Sequence, residues 1–132
     1  MTDFYDTAER RERVILVAVS LGEKQEGGET AADISLDELE ELAETAGAET
    51  VGRLIQNREG IHPGTYIGKG KLEELREMIH SQQADTVVCD DELSPAQIGN
   101  LQEELQCKVI DRTVMILDIF AAHAGTSEGK LQ

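Results

Sequence analysis

Glycines recur between residues 60 and 71 and alternate with lysines over the last four of these residues, a pattern typical of a turn that opens a helix. The run holds four of the twelve glycines of this 132-residue chain. Leu72, Leu75 and Ile79 follow at helical spacing, which predicts a helix directly after the turn. The first N–H groups of a helix have no partners within it, and the helix dipole adds partial positive charge there. The stretch therefore favours an anion, such as the phosphate of a nucleotide or of RNA.

The spacing of these glycines matches no known phosphate loop. Three residues separate Gly64 from Gly68 where a P-loop requires four, and Gly70 stands where the loop needs a hydroxyl for Mg²⁺. The dinucleotide fingerprint would place a further glycine where Leu72 stands. Two interpretations are therefore open: the backbone binds a ligand, or the glycines only allow a tight turn against the sheet.

Basic residues gather around this turn although the chain as a whole is acidic. Twelve Lys and Arg stand against 27 Asp and Glu, which gives a formal net charge of −15. Such a surface repels nucleic acid in general, so a phosphate contact requires a local basic patch. The candidate residues for binding a nucleotide or RNA phosphate are Arg53, Arg58, Gly68, Lys69, Gly70 and Lys71.

Acidic residues also stand at the ends of two predicted strands. Asp90 and Asp91 follow one β-branched run, and Asp111 and Arg112 follow another. The carboxyl ends of parallel strands share one edge of the sheet, where ligands collect. One interpretation is a metal or acid–base site; the other is that these carboxylates lead into helices, cap them, or pair with Arg112. We favour the second, because carboxylates without a histidine or a nucleophile specify no reaction.

Neither the histidines nor the cysteines form a catalytic or metal-binding pattern. The three histidines are scattered, and neither cysteine lies in a ligand spacing; they are His62, His80, His123, Cys89 and Cys107. Buried, reduced thiols are predicted for the cysteines. We therefore assign no catalytic residue and no metal site to this chain.

Apolar strand-like runs alternate with amphipathic helical segments. Residues 13–21 are almost continuously apolar, which predicts a central strand buried on both faces. Residues 50–56 predict an edge strand, because Gly52 and Arg53 suit an edge better than a centre. Two short runs, 86–90 and 107–111, complete the set. The predicted fold is α/β, with a four-stranded, mainly parallel sheet, helices on both faces and the order β-α-β-α-β-α-β-α.

Local signals predict where two of the helices begin. Ser35 followed by Glu38 matches a capping box, so a helix is predicted to begin at Ser35 and to end at Gly47. Ser94 followed by Gln97, with a proline between them, matches a second capping box.

The domain organisation is simple. Residues 1–12 are predicted to be a disordered or frayed lead-in, residues 13–125 one α/β domain, and residues 126–132 the start of a truncated linker helix. A signal peptide and a membrane span of about 20 apolar residues are both missing from the sequence. A cytoplasmic location is therefore predicted.

Several motifs together resemble the N-terminal domain of the HflX family of ribosome-associated GTPases. Leu39–Arg58 is also similar, so the resemblance covers most of the chain. The motifs that carry it are, in order, Thr65–Lys71, Asp90–Pro95, Val109–Thr113 with Ile116–Ala121, and Glu128–Gln132.

This resemblance implies a division of labour within a longer protein. GTP and Mg²⁺ would bind in a GTPase domain that follows a helical hairpin downstream, so this chain alone is not expected to hydrolyse GTP. The N-terminal domain would bind the large ribosomal subunit, through rRNA and ribosomal proteins, help to split stalled ribosomes and restrain its own GTPase domain. ATP binding is also implied for this half of the protein, and an adenine-nucleotide site at residues 64–71 is the alternative function.

One departure from the family pattern concerns the end of the domain. Family members often carry arginines at positions equivalent to His123, Gly125 and Ser127, where this chain has none. The patch between Arg53 and Lys71 is therefore the better candidate for contacting RNA.

Overall fold

Strands and helices alternate throughout the part of the chain that the computed structural model describes, which is residues 11–20, 31–57 and 64–119. Residues 112–119 form the last helix of these described ranges, α4, and the predicted alternation is confirmed. The preceding elements are β1 (Glu12–Ser20), α1 (Ala31–Thr45), β2 (Ala48–Asn57), α2 (Lys69–Gln82), β3 (Thr86–Cys89), α3 (Pro95–Leu105) and β4 (Lys108–Asp111).

Some of the sequence predictions concern residues outside these ranges. They include most of the lead-in, the start of the linker helix at 126–132, Arg58 and the histidines at 62 and 123. Within the described ranges, no helix has the length and apolar character needed to cross a membrane.

The four strands form one parallel sheet in the order β2-β1-β3-β4. The chain runs outward from β1 to β2, then crosses back over β1 to β3 and β4. The prediction of a central first strand and an edge second strand is confirmed. The direction of winding changes between β1 and β3, and the crevice at the carboxyl ends of these two strands is where ligands bind in open parallel sheets.

The sheet is covered on both faces, as predicted. Successive side chains of β1 point to opposite faces, so its continuous apolar run fills both halves of the core. One face packs against α2 and α3 and the other against α1 and α4; the buried residues include, respectively, Ile15, Val17, Leu75 and Leu101, and Leu16, Leu39 and Met115.

The predicted capping box at Ser35 is wrong. Helix α1 begins at Ala31, so Ser35 and Glu38 lie inside it. Their side chains reach Arg112 instead: its Nη1 donates to Ser35 Oγ at 3.0 Å and its Nη2 to Glu38 Oε1 at 3.2 Å. The two residues are one helical turn apart and therefore face the same neighbour.

The second capping box is confirmed at the start of α3. The Gln97 backbone N–H donates to Ser94 Oγ at 3.1 Å, and the Ser94 N–H donates to Gln97 Oε1 at 3.0 Å. Pro95 occupies the first helical position, where its missing N–H costs nothing.

Helix α1 stops before Gly47, as predicted, and this glycine lies in the left-handed region. Gly47 has a φ of +91°. Its N–H donates to the carbonyl oxygen of Glu44 at 3.0 Å. Glycine adopts this conformation without the steric cost that a Cβ atom brings.

We expect Gly47→Ala to lower the free energy of unfolding by about 1 kcal/mol, because an L side chain is strained at this φ. A Cβ atom at Gly47 would have no neighbour within 4 Å, so the cost is conformational. Gly99 of α3 is the matched control: it also has open space but no left-handed φ. Gly99→Ala should raise the free energy of unfolding by about 0.5 to 1 kcal/mol. Urea unfolding measures both, and shifts of the same sign would contradict this account.

Candidate functional site

The first turn of α2 presents unpaired backbone donors. Gly68 precedes the helix with an extended backbone and makes no side-chain cap. The N–H of Leu72 makes the first helical hydrogen bond, to the Gly68 carbonyl oxygen at 2.9 Å. The N–H groups of Lys69, Gly70 and Lys71 therefore have no partner within the helix. These groups and the helix dipole suit an anion.

A groove lies beside this turn. It has a volume of about 430 Å³ and runs between the carboxyl end of β2 and the start of α2. Lys71 lines it, and its Nζ lies 3.2 Å from Glu74 Oε1, so part of its charge is balanced. Lys69 is exposed. The groove is also lined by Ile55, Gln56, Asn57, Gly68, Gly70 and Glu74.

The turn before α2 contains a buried tyrosine in an unusual conformation. Tyr66 has no exposed surface, and its φ is +72°. The N–H of Ile67 donates to the carbonyl oxygen of Thr65 at 2.6 Å. This is a γ-turn of the rarer, strained type with Tyr66 at its centre.

The Tyr66 hydroxyl ties this turn to the end of β3. It donates to Asp91 Oδ2 at 2.6 Å. Burial, followed by the hydrogen bond to Asp91, raises the pKa of Tyr66 far above its ordinary value, so the hydroxyl stays protonated and remains a donor. The sequence contains no signal for this contact, because a positive φ at tyrosine follows from no motif.

Two further contacts position the same turn. Asn100 Nδ2, on α3, donates to the Gly64 carbonyl oxygen at 2.9 Å. The Gly68 N–H donates to Gln56 Oε1, on β2, at 2.7 Å. The turn is therefore attached to β2, β3 and α3, which orients the first turn of α2 toward the groove.

Arg53 is not part of this site. It lies on β2, and its Nη2 is 2.7 Å from Asp37 Oδ1 and 2.6 Å from Glu40 Oε1, both on α1. Helices α1 and α2 cover opposite faces of the sheet, so the sheet separates Arg53 from the lysines of α2. Of the predicted patch, the structure brings together Gly68, Lys69, Gly70 and Lys71, while Arg58 lies outside the described residues.

Asp90 occupies the crevice between the carboxyl ends of β1 and β3. Its N–H donates to the carbonyl oxygen of Val17 at 2.8 Å, which extends the pairing of the two strands. Its side chain is 10% exposed, and Arg112 Nη1 lies 3.4 Å from its Oδ1. Burial raises the pKa of Asp90, although the Ser35 hydroxyl and the Arg112 charge act in the opposite direction. The Arg112 guanidinium therefore offsets only part of the free-energy cost of burying the Asp90 carboxylate.

Asp111 is bound on both oxygens by backbone N–H groups. Its Oδ1 accepts from Val114 at 3.0 Å, and its Oδ2 accepts from Leu93 at 2.9 Å. The residue is 4% exposed. Asp111 therefore caps α4 and holds the segment that leads into α3.

The four residues predicted for the strand-end edge do lie at that edge, and each has a partner within the protein. Asp91 is bound by Tyr66 and Asp111 by backbone groups. Asp90 forms an ion pair with Arg112, but its buried Oδ1 accepts no hydrogen bond from the described residues. No group of three or more His, Cys, Asp or Glu residues in the described ranges could hold a metal ion. The sequence did not predict the contacts of Ser35 and Glu38 with Arg112, because these two residues also match the pattern of a capping box.

The fold and the similarity to known proteins define an N-terminal domain of a class of GTP-binding proteins. The family model described as "GTP-binding GTPase N-terminal" matches residues 33–121, more than half of the chain. The chain belongs to this family.

The curated relatives carry the name GTPase HflX. The protein from Lacrimispora saccharolytica is 58% identical over 132 residues, which is 100% of this chain and 30% of that protein. The one from Escherichia coli K12 is 45% identical over 97 residues, covering 74% of this chain and 23% of that protein. The chain therefore spans less than a third of the length of these relatives.

Solved structures share the fold. A GTP-binding protein from the archaeon Sulfolobus solfataricus in complex with GDP has a TM-score of 0.58 at 21% identity, covering 83% of this chain and 30% of that one. A structure described as the SsGBP and GDP complex gives a TM-score of 0.62 at 22% identity, covering 89% of this chain and 32% of that one.

Proposed function

We propose that this domain is the ribosome-docking and regulatory part of a cytoplasmic GTPase of the HflX type, and that it acts by binding the large ribosomal subunit. The observation that carries the proposal is the similarity of the whole chain to the relatives named GTPase HflX. GTP and Mg²⁺ would bind in the part of the protein that corresponds to the remaining length of these relatives. The domain itself contributes recognition of the ribosome and restraint of the GTPase.

The charge distribution supports one orientation on rRNA. The first turn of α2 offers three N–H groups, Lys69 and Lys71, whereas α1 on the opposite face carries acidic residues at its exposed positions. With a net charge of −15, the domain would be repelled from RNA in most orientations. We infer that the start of α2 faces the phosphates and that α1 points away from them.

We expect the double variant Lys69→Ala, Lys71→Ala of the full-length protein to bind the large subunit more weakly and with a smaller dependence on salt. Each phosphate contact that is lost should reduce the slope of log affinity against log salt by about 1, so the expected reduction is about 2. Sedimentation binding assays at several salt concentrations measure this slope.

Lys108→Ala is the matched control. Its side chain is 57% exposed, and it begins β4, at the end of the sheet away from the groove. It should leave both the slope and the affinity unchanged. A double variant with the slope and affinity of the wild type would show that the start of α2 does not contact RNA.

An adenine nucleotide is the second candidate ligand for the same turn, because the groove of about 430 Å³ lies directly beside the unpaired N–H groups. Calorimetric titration with ATP distinguishes the two candidates. Heat of binding in the wild type that is lost in the lysine double variant would favour the nucleotide. The absence of heat in both proteins would exclude it.

A further inference from the structure

Helix α4 is apolar on two sides, which sets it apart from the other helices that the structure describes. Met115 is buried against the sheet, and Ile119 is half-buried beside it. Ile116 and Leu117 point outward and are 45% and 57% exposed. A surface helix normally has one apolar stripe, and a helix that is apolar all round is typically covered on both sides.

The outward faces of the other described helices are largely polar. Glu73 and Glu77 occupy exposed positions of α2, and Gln102 and Glu103 do so in α3. In the described ranges, only one other large apolar side chain is exposed, Ile34 of α1 at 39%. Two adjacent exposed apolar residues on one helix therefore require a separate explanation.

A cleft under α4 shows that the packing of this helix within the domain is incomplete. The contact of Arg112 with Ser35 holds the start of α4 against α1. Farther along, a cavity of about 160 Å³ lies where α4 and the end of α1 meet the amino-terminal ends of the strands. Thr45 of α1 and Asp118 and Ile119 of α4 are among its lining residues. The domain alone leaves both this cleft and the outward face of α4 uncovered.

We propose that Ile116 and Leu117 form a docking surface, here called the α4 apolar face, for the part of the same polypeptide that follows this domain. The family match ends at residue 121, two residues beyond the last described residue of α4. The relative from Lacrimispora saccharolytica extends over more than three times the matched length, since the match covers 30% of it. Because the family model describes an N-terminal domain, the proposal assigns the remaining length of that relative to the region after this face.

The size of the face favours a covalently connected partner over a second copy of the chain. A stable interface between separate proteins buries about 800 Å² on each side, far more than two side chains supply. A connected segment needs less contact area, because its effective concentration is high. The proposal rests on the proposed function only in that a GTPase region follows the domain; ribosome binding plays no part in it.

Cysteine alkylation in the full-length protein tests the proposal. Leu117→Cys and Ile34→Cys are compared in a Cys107→Ser background, with rates read for each peptide by mass spectrometry after iodoacetamide treatment. Cys89 is fully buried, and burial raises the pKa of its thiol, so it should react slowly. In the domain as described, Leu117 is more exposed than Ile34, at 57% against 39%.

We expect the cysteine at position 117 to react at least about tenfold more slowly than the cysteine at position 34, because the downstream region covers it. Equal or faster alkylation at 117 would overturn the proposal. Protection at 117 that disappears on dilution, together with a dimer in analytical ultracentrifugation, would assign the face to a second copy and also overturn it.

A charge substitution provides an independent test in the full-length protein. Leu117→Glu should release the downstream region from α4 and increase hydrogen exchange in residues 112–119, whereas Ile34→Glu should leave that exchange unchanged. Unchanged exchange in the Leu117→Glu variant would contradict the proposal. Ribosome binding is measured separately through the lysine variants, so failure of one proposal does not imply failure of the other.

Discussion

Replacing Asp111 with alanine should lower the free energy of unfolding by about 3 kcal/mol. The substitution removes the cap of α4, which costs about 1 kcal/mol, and leaves the Leu93 N–H unpaired in the protein interior, which costs about 1 to 3 kcal/mol. Both hydrogen bonds have ordinary lengths, 3.0 and 2.9 Å, and Leu93 is 8% exposed. The effect is large because one side chain satisfies two separate backbone groups.

Urea unfolding of Asp111→Ala, Asp111→Asn and Asp118→Ala measures the effect. The asparagine variant keeps one oxygen acceptor, so we expect it to lose about half as much stability. Asp118 is exposed on the same helix, and its replacement should change stability by less than about 0.5 kcal/mol. A loss below about 1 kcal/mol for Asp111→Ala would contradict the assigned role.

Arg112→Ala should lower the free energy of unfolding by about 2 kcal/mol at neutral pH. Its main consequence is to leave the Asp90 carboxylate, 10% exposed, without a compensating charge. Removing one partner of a fully buried pair costs about 3 to 5 kcal/mol, and this site is partly open. The contact with Glu38, whose side chain is 66% exposed, should add little.

A double-mutant cycle isolates this contribution. Asp90→Asn removes the buried charge, so the double variant Arg112→Ala, Asp90→Asn should be more stable than the sum of the two single effects predicts, by about 1 kcal/mol or more. Additive effects would mean that Arg112 acts through packing or through Ser35 alone.

The pH dependence of the stability lost in the Arg112→Ala variant, here called its deficit, provides a second check on the role of Arg112. Burial raises the pKa of Asp90, so the folded protein holds this proton to higher pH than the unfolded chain does. Stability from this group is therefore greatest below its unfolded pKa and decreases as pH rises through the folded value. Loss of the Arg112 charge raises the pKa of Asp90 further, so the deficit of the variant should shrink between pH 7 and about pH 4. A deficit that does not depend on pH would contradict this explanation.

These two residues also connect the fold to the proposed function. Asp111 and Arg112 determine where α4 leaves the sheet, and α4 carries the face proposed to contact the downstream region. A variant that loosens either residue should therefore affect the coupling of the domain to the rest of the protein as well as its stability.

The sequence by itself determined the architecture. The sequence predicted four features that the structure contains. They are the first strand buried on both faces, the edge strand, the capping box at Ser94 and the end of a helix at Gly47. These features depend on periodicity or on residues a few positions apart, which a single chain displays directly. The resemblance to the HflX family could be recognised for the same reason, because each of its motifs consists of consecutive residues.

Contacts between distant elements depended on the tertiary structure. Ser35 and Glu38 lie 77 and 74 residues from Arg112, and Tyr66 lies 25 residues from Asp91. No local pattern specifies such pairs, because the order of the strands and the sides of the crossovers decide which elements meet.

The position of Arg53 shows how a shift of one residue in strand pairing changes which side chains belong to a site. The pairing of β1 with β2 passes from Val14 with Thr50 to Ile15 with Gly52, so Val51 is an extra residue in β2. Side chains alternate with a period of two, and one inserted residue moves all later ones to the opposite face. Arg53 is consequently directed to the carboxylates of α1 and away from the lysines of α2, a placement that only the folded sheet decides.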